Sequence, residues 1–175
     1  MNTRRRRPKP RGFTFIELAI SLALVGMIAM VSLPLYEVTS TRFREAELRH
    51  ALQTIRTGLD AYKAAVDSGQ LTKNAGESGY PPSLDILTES LDVAGKKDLS
   101  LSPSDSASAA PQRIVILRQL PRDPFFPDHE VPAAQTWATR AYASKADDPQ
   151  PGADVFDVSS MSTRTGLDGR PYNTW

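Results

Sequence analysis

Apolar and polar positions divide the chain into three stretches. Residues 1–12 are polar and basic. From Phe13 to Tyr36 only Glu17 carries a charge, and most of the other positions are apolar. As a helix those 24 residues would span ~36 Å at 1.5 Å per residue, against a bilayer core of ~30 Å. Further on, the apolar positions thin to a stripe. Leu48, Leu52, Ile55, Leu59, Tyr62 and Val66 recur at spacings of 4, 3, 4, 3 and 4, which is one face of a helix. Arg42, Arg44, Glu45, Glu47, Arg49, Arg56, Asp60 and Lys63 occupy much of the rest, with Glu45 and Arg49 spaced to pair at i, i+4. Gly69 is the stop signal after Asp67-Ser68. The pattern predicts one helix from Phe13 to about Asp67, apolar all round at first and amphipathic afterwards. Fewer than three heptads is short for a coiled coil, so the expected partner of the amphipathic half is the chain's own sheet. Pro34 removes one backbone donor and crowds the carbonyl four residues back, which predicts a kink or partial melting near Met30.

The remainder reads as loops and short elements. Gly76 to Pro82 is a loop by composition, and Ser83 reads as the N-cap of a short helix over Leu84–Glu89. Ser100 to Pro111 is rich in Ser, Ala and Pro, the composition of a flexible insertion. Arg113 to Leu120 suits either a helical turn or a strand. The run Leu120-Pro121-Arg122-Asp123-Pro124-Phe125 signals a tight turn. Trp137–Ser144 and Ala153–Ser159 are the best strand candidates, separated by a turn at Asp147–Gly152. The loop-like end brings Tyr172 and Trp175 as caps for the core. The expected fold class is α+β, a long helix packed on a small antiparallel sheet. The expected division is a leader at 1–12, a membrane helix at 13–36, and a domain at 37–175 whose helix ends at 67.

Charge changes the picture at one end. Six of the first twelve residues are basic and none is acidic; the rest of the chain holds 15 basic against 20 acidic side chains, −5. A domain of that sign offers no footprint for nucleic acid. A basic cluster directly before an apolar run instead places the N-terminus in the cytoplasm and the C-terminal part on the far side of the membrane. The apolar run exceeds the ~7–15 residues of a secretory signal and no small-x-small break comes after it. The absence of cysteine excludes disulfides and thiolate chemistry. His50 and His129 stand far apart without ligand or nucleophile spacing, and no phosphate loop or hydrolase motif appears. Asp123, Asp128 and Glu130 read as a solvated turn. No enzymatic activity is expected.

Glu17 is the informative residue. A carboxylate costs ~2.5–3.5 kcal/mol at the bilayer centre and less near an edge, and no basic side chain lies between Phe13 and Arg42. A cut between Gly12 and Phe13 would create an α-amino group able to pair with Glu17 of a neighbouring copy. Gly12-Phe13-Thr14-Phe15-Ile16-Glu17-Leu18, behind a basic leader, resembles the processing motif of type IV prepilins and type II secretion pseudopilins. The resemblance implies cleavage after Gly12 by prepilin peptidase, methylation of Phe13, and an assembly role for Glu17. Pro34 matches a helix-distorting proline common in that family.

Tyr80-Pro81, the Leu120–Phe125 turn, Trp137-x-x-Arg140-x-Tyr142-x-Ser144, Asp154–Val158 and Asp168-Gly169…Trp175 resemble the G-type, or major, pseudopilins. That resemblance implies a structural subunit in the inner membrane, its C-terminal domain in the periplasm. It would polymerise with itself and other pseudopilins, on a secretion platform, to help export folded proteins. The alternatives are a type IV pilus or DNA-uptake subunit, and a membrane-tethered module of another class. G-type members commonly bind calcium near the last strands, where Asp157, Ser159, Ser160 and Asp168 offer oxygens. This chain has Pro171-Tyr172-Asn173-Thr174 where that family places closely spaced acids. A hydrogen-bonded turn without metal is therefore favoured, and no cofactor is expected.

Overall fold

The structure, a computed structural model, describes residues 12–94 and 113–175; the basic leader and the Ser100–Pro111 insertion lie outside them. A 53-residue helix, α1, runs from Phe15 to Asp67. The chain divides into two units, Met1–Thr41 and Arg42–Trp175. The first is described by α1 up to Thr41. The helix is continuous through position 34, so the melting expected near Met30 does not occur.

In the second unit the apolar stripe of α1 faces inward, as its spacing requires. Leu48, Leu52, Ile55 and Leu59 are buried with Leu84, Leu87, Leu120, Trp137, Val155, Val158 and Tyr172. Each such side chain contributes ~1.5–3 kcal/mol on burial. Gly58 lets the Leu117 loop approach closely, since a Cβ there would lie 3.0 Å from Leu117 Cδ1. The helix ends in a Schellman motif: Gly69 adopts φ +74, its N–H donates to Val66 O, and the Gln70 N–H donates to Ala65 O.

Four short strands come next. β1 (Leu91–Asp92) pairs antiparallel with β2 (Arg113–Ile114). Leu91 and Ile114 pack on a small cluster of Ala65, Val66 and Leu71 at the helix end. β3 (Trp137–Arg140) pairs antiparallel with β4 (Asp157–Ser160), Trp137 opposite Ser160 and Arg140 opposite Asp157. Among the described residues the α+β fold therefore carries two two-stranded sheets rather than one.

Several local expectations change. The β3–β4 pairing stops at Arg140 because the next N–H groups turn elsewhere: Ala141 donates to Gln150 O and Tyr142 to Asp154 Oδ1. Arg113–Leu120 contributes only the two residues of β2. The helix expected after Ser83 is a single 3-10 turn, Asp85–Thr88, without a side-chain cap.

Two acids assigned to the surface are buried. Asp123 is 3% exposed; its carboxylate accepts from the Phe125 N–H and the Ser160 hydroxyl. Glu45 is 4% exposed. Its Oε1 accepts from the Leu167 N–H at 2.6 Å and the Tyr172 hydroxyl at 3.0 Å, while Arg49 approaches Oε2 only to 3.9 Å. Burial first, then the Glu45 hydrogen bond and charge, push the Tyr172 phenol up to about 12. Tyr172 stacks on Phe125 and Trp175 packs edge-on against Tyr172, so both terminal aromatics join the core.

A cation stripe at spacing 7 edges the buried face. The Arg49 guanidinium lies 4.4 Å over the Trp175 ring. Arg56 donates to Asp157 Oδ1, Val158 O and the main-chain oxygen of Trp175. Lys63 pairs with Asp67 and sits 6.0 Å over Tyr80.

Candidate processing and assembly segment

Gly12 and Phe13 precede the helix without secondary structure, both exposed. A peptide bond in that setting is open to a protease. Thr14 caps α1: its carbonyl accepts the first helical bond from the Leu18 N–H, and its Oγ1 accepts from the Glu17 N–H at 3.3 Å. Thr14-x-x-Glu17 is the capping-box pattern, a signal legible in the sequence but missed there.

Glu17 therefore sits in the first helical turn, where a negative charge gains ~0.3–1 kcal/mol from the helix dipole. That gain offsets part of the cost of a carboxylate in lipid, which is ~2.5–3.5 kcal/mol at the bilayer centre and smaller at an edge position such as this, four residues into the apolar run. Among the described residues no ion pair or side-chain hydrogen bond engages its carboxylate.

The rest of the segment is apolar all round. Phe13, Phe15, Ile16, Leu18, Leu22, Met27 and Met30 are each more than half exposed. Its hydroxyls are satisfied within the helix: Ser21 donates to Glu17 O, Ser32 to Ile28 O and Thr39 to Leu35 O. Back-bonded hydroxyls present little polarity outward. Pro34 has no N–H to offer the Met30 carbonyl. The helix is long and apolar enough to cross a membrane, and its surface demands lipid or other helices as surroundings.

These features converge on the stretch that a family model recognises. Residues 7–33 match the model described as the prokaryotic N-terminal methylation motif. The chain carries the methylation motif of type IV prepilin-like proteins. The motif spans Gly12, Phe13 and Glu17 and stops one residue short of Pro34. The chain is also 29% identical, over 82 residues, to the type IV major pilin protein PilA of Myxococcus xanthus (strain DK1622). That similarity covers 47% of this chain and 36% of the pilin, so the chain matches about a third of its relative's length. No solved structure matches the chain.

Outside the motif, the calcium candidates lie on cationic partners. Asp157 takes Arg56 on Oδ1 at 2.8 Å and Arg140 on Oδ2 at 3.3 Å. Asp168 accepts from the Arg170 N–H and Nε, and these bonds hold its carboxyl below the usual range. Among the described residues no group of three or more acidic or histidine side chains is arranged to hold a metal. His50 and His129, distant in sequence, line one groove of the second unit.

Proposed function

We propose that the chain is the precursor of a filament subunit, cut between Gly12 and Phe13, methylated on Phe13, and polymerised through α1. The observation that carries this reading is Glu17, a carboxylate without a described partner inside an otherwise apolar helix that bears the methylation motif. Before assembly the helix rests in the inner membrane and Arg42–Trp175 lies in the periplasm, as the basic leader directs. On assembly, helix packs against helix, and each Glu17 is neutralised by the new α-amino group of an adjoining copy. Pro34 leaves the Met30 carbonyl without a helical donor, and there the otherwise continuous helix can adjust as copies pack. Prepilin peptidase, an inner-membrane platform and other subunits of the same type are the implied partners; nucleic acid is not.

Within that class we assign the chain to type II secretion, as a major pseudopilin. Support comes from the resemblance of Trp137-x-x-Arg140-x-Tyr142, Asp154–Val158 and the terminal Asp168-Gly169…Trp175 to that group. The similarity to a major pilin favours a second reading, a subunit of a type IV pilus.

N-terminal mass spectrometry of the protein from its own membranes tests the common part. The expected mature chain begins at Phe13 and carries one methyl group. Glu17→Val is expected to prevent assembly while leaving the second unit folded, and Gly12→Val to leave the leader attached. Filaments built from subunits that begin at Met1 would refute the reading. Export of folded proteins lost on deletion, with surface pili intact, decides for the secretion system.

A further inference from the structure

The second unit holds a cationic groove of about 850 Å³ between α1 and the proline-rich turn after Gln119. Arg44, Arg122 and Arg164 line it, and none of the three has a carboxylate partner among the described residues, whereas Arg49, Arg56 and Arg140 do. Arg122 braces the turn by donating to the Val131 and Asp128 carbonyls; Arg164 lies 5.8 Å over Phe125. Both histidines are present. The opposing charges are Glu47, in the wall, and Asp123, whose oxygens are occupied by Ser160 and the Phe125 N–H. Three guanidinium groups against these two carboxylates leave the groove positive.

The complementary feature is the loop that joins β3 to β4. Asp147 and Asp148 are exposed at its tip and followed by Pro149 and Pro151, with Lys145 the one basic side chain from Ala141 to Gly152. The loop is braced from within: the Ser144 hydroxyl donates to Asp148 O, and it accepts from the Gln150 N–H. A pre-ordered acidic tip loses little entropy on docking.

We propose that the Asp147-Asp148 loop of one copy docks in the Arg44–Arg122–Arg164 groove of the next. This rests on the filament reading above and adds a contact outside the apolar helix. Placement within the fold supports it. One end of the β3–β4 hairpin abuts the groove, through Trp137 Nε1 donating to Pro121 O and Ser160 bonding to Asp123. The other end runs into the acidic loop, where Tyr142 stacks on Tyr80 beneath Lys63. Glu47 in the groove and Lys63 near the loop lie ~24 Å apart along α1 at 1.5 Å per residue. Groove and loop are thus different surfaces at opposite ends of one unit. A contact between them is heterologous; it repeats head to tail and builds an open polymer rather than a closed dimer. Opposite charge fixes its register.

The chain has no cysteine, so a designed disulfide reads the contact directly. In cells that process the full-length protein, His50→Cys and Ala146→Cys in one chain are expected to give an oxidant-dependent ladder of cross-linked multimers, whereas either alone stops at dimers. Asp147→Arg with Asp148→Arg is expected to lower polymer yield about tenfold or more, since like charges then face each other. Adding Arg44→Asp and Arg164→Asp to that chain restores yield. Polymers that form without a ladder, and at unchanged yield in the charge-reversed chain, would overturn this contact and leave the filament reading standing. A processed wild-type chain that forms no polymer would overturn both.

Discussion

Removing the Glu45 carboxylate tests how the C-terminal segment is held on α1. In Glu45→Ala the Leu167 N–H and the Tyr172 hydroxyl lose their acceptor at a site where Glu45 is 4% and Tyr172 1% exposed. The buried hydroxyl left unpaired costs ~1–3 kcal/mol. Leu167 is half exposed, so water can take its N–H and the lost bond adds ~0.5–1 kcal/mol, for an expected loss of ~1.5–4 kcal/mol. At ~3–5 °C per kcal/mol for a unit of this size, that is a fall in Tm of ~5–20 °C. Glu45→Gln keeps a carbonyl for both donors and should lose no more than ~2 kcal/mol. Arg49 contributes little to the difference, because it is solvent-exposed and only 3.9 Å from Oε2. The assay is thermal unfolding of the detergent-solubilised full chain by near-ultraviolet circular dichroism, since both tryptophans, Trp137 and Trp175, lie in this unit. Titration of phenolate absorbance adds a second readout. Tyr172 stands at about 12 against an ordinary 10.0. The proton is held more tightly in the folded state, so this group's stabilisation is complete below pH ~10 and is lost as pH rises towards 12. In Glu45→Gln the Tyr172 value should fall but stay above 10.0, because burial is the larger cause. A Tm for Glu45→Ala within ~2 °C of wild type would refute the reasoning.

Gly166→Ala should weaken the same junction, since a Cβ there would stand 2.9 Å from Tyr172 Cε1 and 3.0 Å from both Glu45 Oε1 and Trp175 Cζ2; a loss of ~1–3 kcal/mol is expected in the same melt. Arg56→Ala frees three acceptors, Asp157 Oδ1, Val158 O and Trp175 O, and should cost ~1–2 kcal/mol once partial exposure is allowed for. Arg56→Lys should recover little of it, because an ammonium cannot fork across that set. Chelation of calcium should leave the melting curve unchanged, because Asp157 and Asp168 already lie on arginines; a calcium-dependent rise in Tm would show that they rearrange around the ion.

The long helix and its buried stripe were legible because their causes are local. A period of 3.6 records which side of a helix faces a core, and Leu48, Leu52, Ile55 and Leu59 are buried accordingly. Gly69 was legible for the same reason, since a left-handed residue closing a helix favours glycine. The motif residues Gly12, Phe13 and Glu17 lie within a few positions of one another, so their relation needs no fold to bring them together. Strand limits after Arg140 were not legible, because side-chain acceptors such as Asp154 diverted the backbone donors from the sheet.

What the amino-acid order settles by itself is a membrane-length apolar helix with one acid in it, opening on a methylation motif, since charge, spacing and hydropathy act over a few residues. What the tertiary structure alone decides is the fate of the charged side chains in the second unit. Glu45 and Arg49 look like a surface pair at i, i+4, yet Glu45 is turned inward to Leu167 and Tyr172, more than 120 residues away. Asp123 looks like part of a solvated turn, yet it is sealed against Ser160. Arg44, Arg122 and Arg164 have no sequence relation, yet they share one groove. Whether a charge is paired, buried or left open depends on which distant segments the core draws together, and no periodicity along the chain records that.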